Sequence, residues 1–61
     1  MISVKYKYNL GQKVVVCAID TNGIVDSLSL DIRGQMYRIV YWNDGDRFQT
    51  WMYEWEIRAY S

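Results

Sequence analysis

The stretch Tyr37–Trp55, YRIVYWNDGDRFQTWMYEW, holds seven of the ten aromatic side chains of this 61-residue chain around one turn signal, Asn43-Asp44-Gly45-Asp46. Tyr37, Ile39 and Tyr41 alternate with Arg38, Val40 and Trp42 before the turn, and Phe48 and Trp51 follow it. Successive strand side chains point to opposite faces, and Asp-Gly supplies the positive φ angles of a tight hairpin, so the spacing predicts a hairpin with a strongly aromatic face. Such a face either fills a core or holds a ligand.

Working outward, turn residues punctuate the chain about every ten positions, at Asn9–Gly11, Asp20–Gly23, Asp31–Gly34 and Asn43–Asp46. That rhythm predicts consecutive short strands in a sandwich or barrel. Gln12–Ile19 is rich in β-branched residues and reads as a first, buried strand, with Cys17 as a small hydrophobe inside it. Beyond the Asn22-Gly23 turn, Ile24, Leu28, Leu30 and Ile32 share one parity, which predicts one apolar face. Asp26 interrupts that parity, and a β-bulge there accommodates it. A helical i, i+3, i+4 stripe is absent, and Thr, Val, Ile and Tyr dominate, so helix is limited to one 3₁₀ turn near Tyr53-Glu54-Trp55 before a last strand over Glu56–Tyr60. The expected fold is all-β: one domain over residues 1–61, a closed or nearly closed five-stranded barrel.

Length and composition narrow the chemistry. A chain this short buries only about 60% of the surface its unfolded form exposes, so large side chains must fill the core. Three Trp, six Tyr and one Phe serve that purpose, each burying roughly 150–250 Å². A single cysteine excludes an intramolecular disulfide, and the absence of histidine excludes an ordinary Cys/His zinc site, so no cofactor is expected. Asp44 and Asp46 have a sufficient backbone reason to stand in a turn, and a chain without histidine or a phosphate-binding glycine loop is not expected to be an enzyme. The longest apolar run, Val14–Ile19, falls well short of a membrane span and the amino terminus lacks a hydrophobic signal core, so the expectation is a cytoplasmic protein without a membrane partner.

Charge is balanced, seven cationic against seven acidic side chains. Nucleic-acid modules ordinarily carry a net basic stripe, so this balance disfavours that partner, although Arg33, Arg38, Arg47 and Arg58 interleave with Tyr and Trp as on single-strand binding surfaces.

Gly11-x-x-Val14, Asn22-Gly23-Ile24-Val25, Tyr37-x-Ile39-x-Tyr41, Asp44-Gly45 and Trp55-Glu56-Ile57 together resemble the SH3-like barrels of the Tudor and chromo-barrel type, over Gly11–Ile57. The resemblance implies a binding module, and in Tudor-like domains an aromatic cage for a methylated cation. Tyr37, Tyr41, Phe48 and Trp42 occupy the corresponding second-hairpin positions, with Asn43 and Asp44 as polar partners, while the segment Ala18–Gly23 lacks the aromatic wall that the first loop of such domains contributes. If Tyr37, Ile39 and Tyr41 face inward, Met36, Val40 and Trp42 form an apolar strip outside. The resulting expectation is a protein partner or a second copy of the chain, held by the region of Trp42, Trp51, Tyr53 and Trp55. Compact binding proteins of this size suggest an accessory or regulatory role in a phage or mobile element.

Overall fold

In the computed structural model, described here over residues 5–60, the chain forms β1 (Lys13–Val16), β2 (Thr21–Asp31), β3 (Gly34–Asn43), β4 (Asp46–Tyr53), a 3₁₀ turn (Glu54–Glu56) and β5 (Ile57–Ala59). All pairings are antiparallel, in one sheet of order β4-β3-β2-β1-β5. The expected all-β, five-stranded chain with a 3₁₀ turn after the fourth strand is present, but the barrel is not closed. β4 and β5 are the two edges of the sheet. The three residues of β5 pair with β1, and β4 leaves the sheet through the 3₁₀ turn, so no ladder joins the edges among the described residues.

The hairpin at the centre of the sequence is the clearest element. Asp44 (φ 53°) and Gly45 (φ 82°) both lie in the left-handed region, the geometry of a type I′ turn, whose twist matches that of the flanking strands. The turn sets Asn43 opposite Asp46 and, residue for residue, Tyr41 opposite Phe48, Ile39 opposite Thr50 and Tyr37 opposite Met52.

Directly opposed residues share a face, so these pairs define the inner face, together with Val14, Val16, Val25 and Ile57. Tyr37, Ile39, Val14 and Val25 are fully buried, each such side chain contributing about 1.5–3 kcal/mol relative to exposure. The segment before β1 closes this core. Tyr6 and Tyr8 meet the Tyr37 ring edge-to-face at 6.1 and 5.2 Å. The Tyr37 hydroxyl accepts from the backbone N–H of Lys7 (2.9 Å) and of Tyr8 (3.4 Å) and donates to Gln35 Oε1 (2.6 Å).

Three expectations need correction. β1 stops at Val16 and residues 17–20 form the turn, so Cys17 is exposed and Ile19 half-exposed. The turn is closed by the Ile19 N–H on the Val16 carbonyl (3.3 Å) and by Asp20 in the left-handed region (φ 50°), while the Cys17 N–H on the Glu56 carbonyl (3.1 Å) continues the β1–β5 register by one residue. Second, Ile24 does not share the face of Leu28, and the reason is the expected bulge at Asp26, which is present: Val25 opposes Ile39 while Ser27 opposes Arg38. One extra residue reverses parity, so Val25 before it and Leu28 after it face inward, and Ile24 lies on the outer face. Third, Ile32 occupies the β2–β3 turn, outside the strand, and is fully exposed.

Candidate functional site

The outer face carries the exposed aromatics. Its floor is set by register: Lys13 opposes Ile24, Ile24 opposes Val40, and Val40 opposes Gln49. Val40 is buried and Ile24 is 41% exposed. Trp42, two residues beyond Val40 and 55% exposed, forms one wall of a groove, and Tyr60 forms the other. Tyr60 is held there by its N–H on the Lys13 carbonyl (3.4 Å) and by the Lys13 ammonium 5.7 Å from its ring centre. The groove has a volume of about 230 Å³. That is below the roughly 300–1,000 Å³ of small-molecule pockets, and suits one side chain of a partner. Its floor and walls are apolar, with a cation at the rim.

A second patch lies further along the same face. Arg38 reaches Trp51, which it opposes in register, with the guanidinium 5.7 Å from the ring centre. Arg38 Nε also donates to Asp26 Oδ1 (2.8 Å), and Gln49 Nε2 donates to Asp26 Oδ2 (2.6 Å). The bulge is what presents Asp26 between these partners. The Arg38 hydrogen bond, against a partial desolvation and with help from Gln49, holds the Asp26 carboxyl below its ordinary value of 3.8. At the end of β4, Tyr53 and Trp55 stack at 4.6 Å with 5° between their planes, and Arg33 lies 5.2 Å from the Tyr53 ring. The Tyr53 hydroxyl donates to Asp31 Oδ2 (3.3 Å), and its pKa is raised, first by desolvation. Asp31 is lowered, chiefly by the backbone N–H of Arg33.

The residues expected to act as one surface thus separate. Trp42, Trp51 and Tyr53 share the outer face, and Trp55 joins them by stacking. Tyr41 and Phe48 lie on the inner face near the hairpin tip, stacked at 5.4 Å. Tyr37 is inside the core with its hydroxyl fully engaged, so it cannot wall a ligand site. Asp44 serves the type I′ turn. The methyl-cation cage drawn from Tyr37, Tyr41, Phe48 and Trp42 is therefore not assembled: the first is buried, the next two stack on each other, and Trp42 is on the opposite face. The alternation of β3 made this division visible, because Tyr41 and Trp42 are consecutive.

Sequence reasoning missed Lys13, Ile24 and Tyr60. The signal for Ile24 was available in the bulge, whose parity reversal sends it outward. Lys13 and Tyr60 become neighbours only through the β1–β5 end of the sheet.

No family model, curated protein or solved structure matches the chain. No helix among the described residues is long and apolar enough to cross a membrane.

Proposed function

We propose that the protein is a small non-catalytic binding module that grips another protein through the outer face of its sheet. The groove between Trp42 and Tyr60, floored by Ile24 and Val40, carries this reading: it is an apolar socket of side-chain size beside an exposed tryptophan, the composition and shape of an interface anchor. The β1–β4 meander, with a 3₁₀ turn before a last strand that returns to pair with β1, supports an SH3-like fold of the Tudor and chromo-barrel type in an open form, and we place the protein in the cytoplasm.

Selection from a random-peptide library, followed by titration of the selected peptides against wild type and Trp42→Ala, tests the reading. Selected peptides should share an aromatic or aliphatic anchor flanked by acidic residues, which answer Lys13. W42A should lose about 2 kcal/mol of binding, as interface anchors do, and its melting temperature should stay close to wild type because Trp42 is already 55% exposed. Equal affinity in W42A would remove the groove from the mechanism.

Single-stranded nucleic acid is the competing reading, favoured by Arg38 over Trp51 and Arg33 over Tyr53. Both arginines are ion-paired, with Asp26 and Asp31, which leaves little charge for phosphates. Tight, steeply salt-dependent binding to oligothymidylate would reverse the choice.

A further inference from the structure

β4 is an edge strand of eight residues whose first six are all exposed. The type I′ turn determines which of its backbone groups are spent. With Asn43 and Asp46 closing the turn as a hydrogen-bonded pair, the bonded pairs down the ladder are Tyr41/Phe48, Ile39/Thr50 and Tyr37/Met52. Arg47, Gln49, Trp51 and Tyr53 therefore direct their N–H and C=O groups away from β3. At Tyr53 this is directly visible, since its N–H donates to the Glu56 carboxylate (2.9 Å). The 3₁₀ turn thus caps the far end of the edge and, among the described residues, leaves Arg47, Gln49 and Trp51 open.

Sheet edges of this length are ordinarily protected by proline, lysine, a bulge or a covering segment. The chain has no proline, β4 has no lysine, and β4 pairs with β3 without a register shift. The other edge, β5, has only three residues and offers no comparable template.

We propose that β4 pairs antiparallel with β4 of a second copy, about a two-fold axis through Gln49. This is independent of the groove, which lies on the face rather than the edge. In this register Gln49 opposes Gln49 of the second copy, and Arg47 opposes Trp51 of the second copy on both sides of the axis. All three residues are those with free N–H and C=O groups, so each opposed pair exchanges two hydrogen bonds. The side chains agree as well: each Arg47 guanidinium meets an indole on the outer face, and each Phe48 meets Thr50 on the inner face. Sliding by one residue in the pairing would set inner against outer side chains. Moving the axis to Thr50 brings Asp46 against Glu54 of the second copy and demands the Tyr53 N–H already held by Glu56. The Gln49 register has neither defect. The two-fold axis stands perpendicular to the sheet, so both grooves open on the same side and the dimer presents a bivalent face.

Sedimentation velocity over a hundredfold concentration range, combined with position-specific cross-linking, tests this pairing. Opposed residues of a hydrogen-bonded pair have Cα atoms about 5.5 Å apart, within the span of a disulfide. Gln49→Cys in a Cys17→Ser background, needed because Cys17 is exposed, should oxidise to a covalent dimer. Arg47→Cys in the same background should not, because the two copies of that position lie roughly 13 Å apart along the strand. Gln49→Pro removes only an outward N–H and should sediment at half the wild-type mass, with circular dichroism showing a retained fold. A wild-type monomer throughout overturns the proposal. So does a wild-type dimer in which Q49C fails to cross-link, which would place the contact elsewhere; loss of that dimer in W42A would assign it to the outer face.

Discussion

Gly23 is a position where two effects oppose each other and the structure says which is larger. It lies in β2 opposite Val14 and Tyr41, on the inner face, with a backbone conformation open to any residue. Replacing a strand-interior glycine by alanine would ordinarily stabilise by about 0.5–1 kcal/mol, through reduced freedom of the unfolded chain. Here a Cβ would stand 2.5 Å from Ile39 Cγ2 and 3.0 Å from the Val40 carbonyl oxygen. Carbon contacts settle near 3.5–4.0 Å, so about an ångström must be recovered. Neither neighbour yields easily, because Ile39 is fully buried and stiff at χ1 and the oxygen is backbone. Overpacking costs about 1–3 kcal/mol, and a contact this short against buried, stiff neighbours belongs at about 2–3 kcal/mol, which leaves Gly23→Ala destabilised by about 1–2 kcal/mol net. In a domain this small that lowers the melting temperature by about 4–16 °C. Thermal melts followed by circular dichroism measure it. Ile39→Leu removes the offending Cγ2, so the double variant should recover at least about 0.5 kcal/mol relative to additivity. A Gly23→Ala melting temperature at or above wild type, or strict additivity with Ile39→Leu, would refute the steric argument.

Two further outcomes follow from polar contacts. Tyr37→Phe removes an acceptor from the N–H groups of Lys7 and Tyr8, and should cost about 1–3 kcal/mol in chemical denaturation, with faster amide exchange in the segment before β1. A cost below about 0.5 kcal/mol would mean that water replaces the hydroxyl without penalty. Asp26 gives a pH signature: its folded pKa is depressed by the Arg38 hydrogen bond first, so the ionised carboxylate stabilises the fold above the unfolded pKa of about 3.9, and that contribution is lost as pH falls through the lower folded value. Asp26→Asn should therefore flatten the loss of melting temperature with acidification below about pH 4. An unchanged acid limb would show that the Arg38 pair contributes nothing.

The local part of the fold was legible because backbone chemistry is local. Asn43-Asp44-Gly45-Asp46 specified a hairpin and nearly its turn type, since Asp-Gly is the pair that accepts two positive φ values. The place of the 3₁₀ turn, the bulge at Asp26 and the inward set Tyr37, Ile39 were equally local. The early end of β1 was not: residues 17–20 close the hairpin in which Val16 pairs with Thr21 and Asp20 takes a φ of 50°, and the β-branched run Val14–Val16 before them carries no signal of where the strand stops.

For the candidate site the division falls differently. The sequence by itself determined that Trp42, Trp51 and Tyr53 stand on the face opposite Tyr37, because strand periodicity and the register of the two-residue Asp44-Gly45 turn together dictate it. Only the tertiary structure decided that Trp42 has Tyr60 and Lys13 as neighbours, that Tyr6 and Tyr8 seal the core, and that the sheet stays open with β4 at its edge. Those outcomes depend on contacts between segments distant in the chain, and such contacts are set by which surfaces fit together in three dimensions, a property that no periodicity or turn signal encodes.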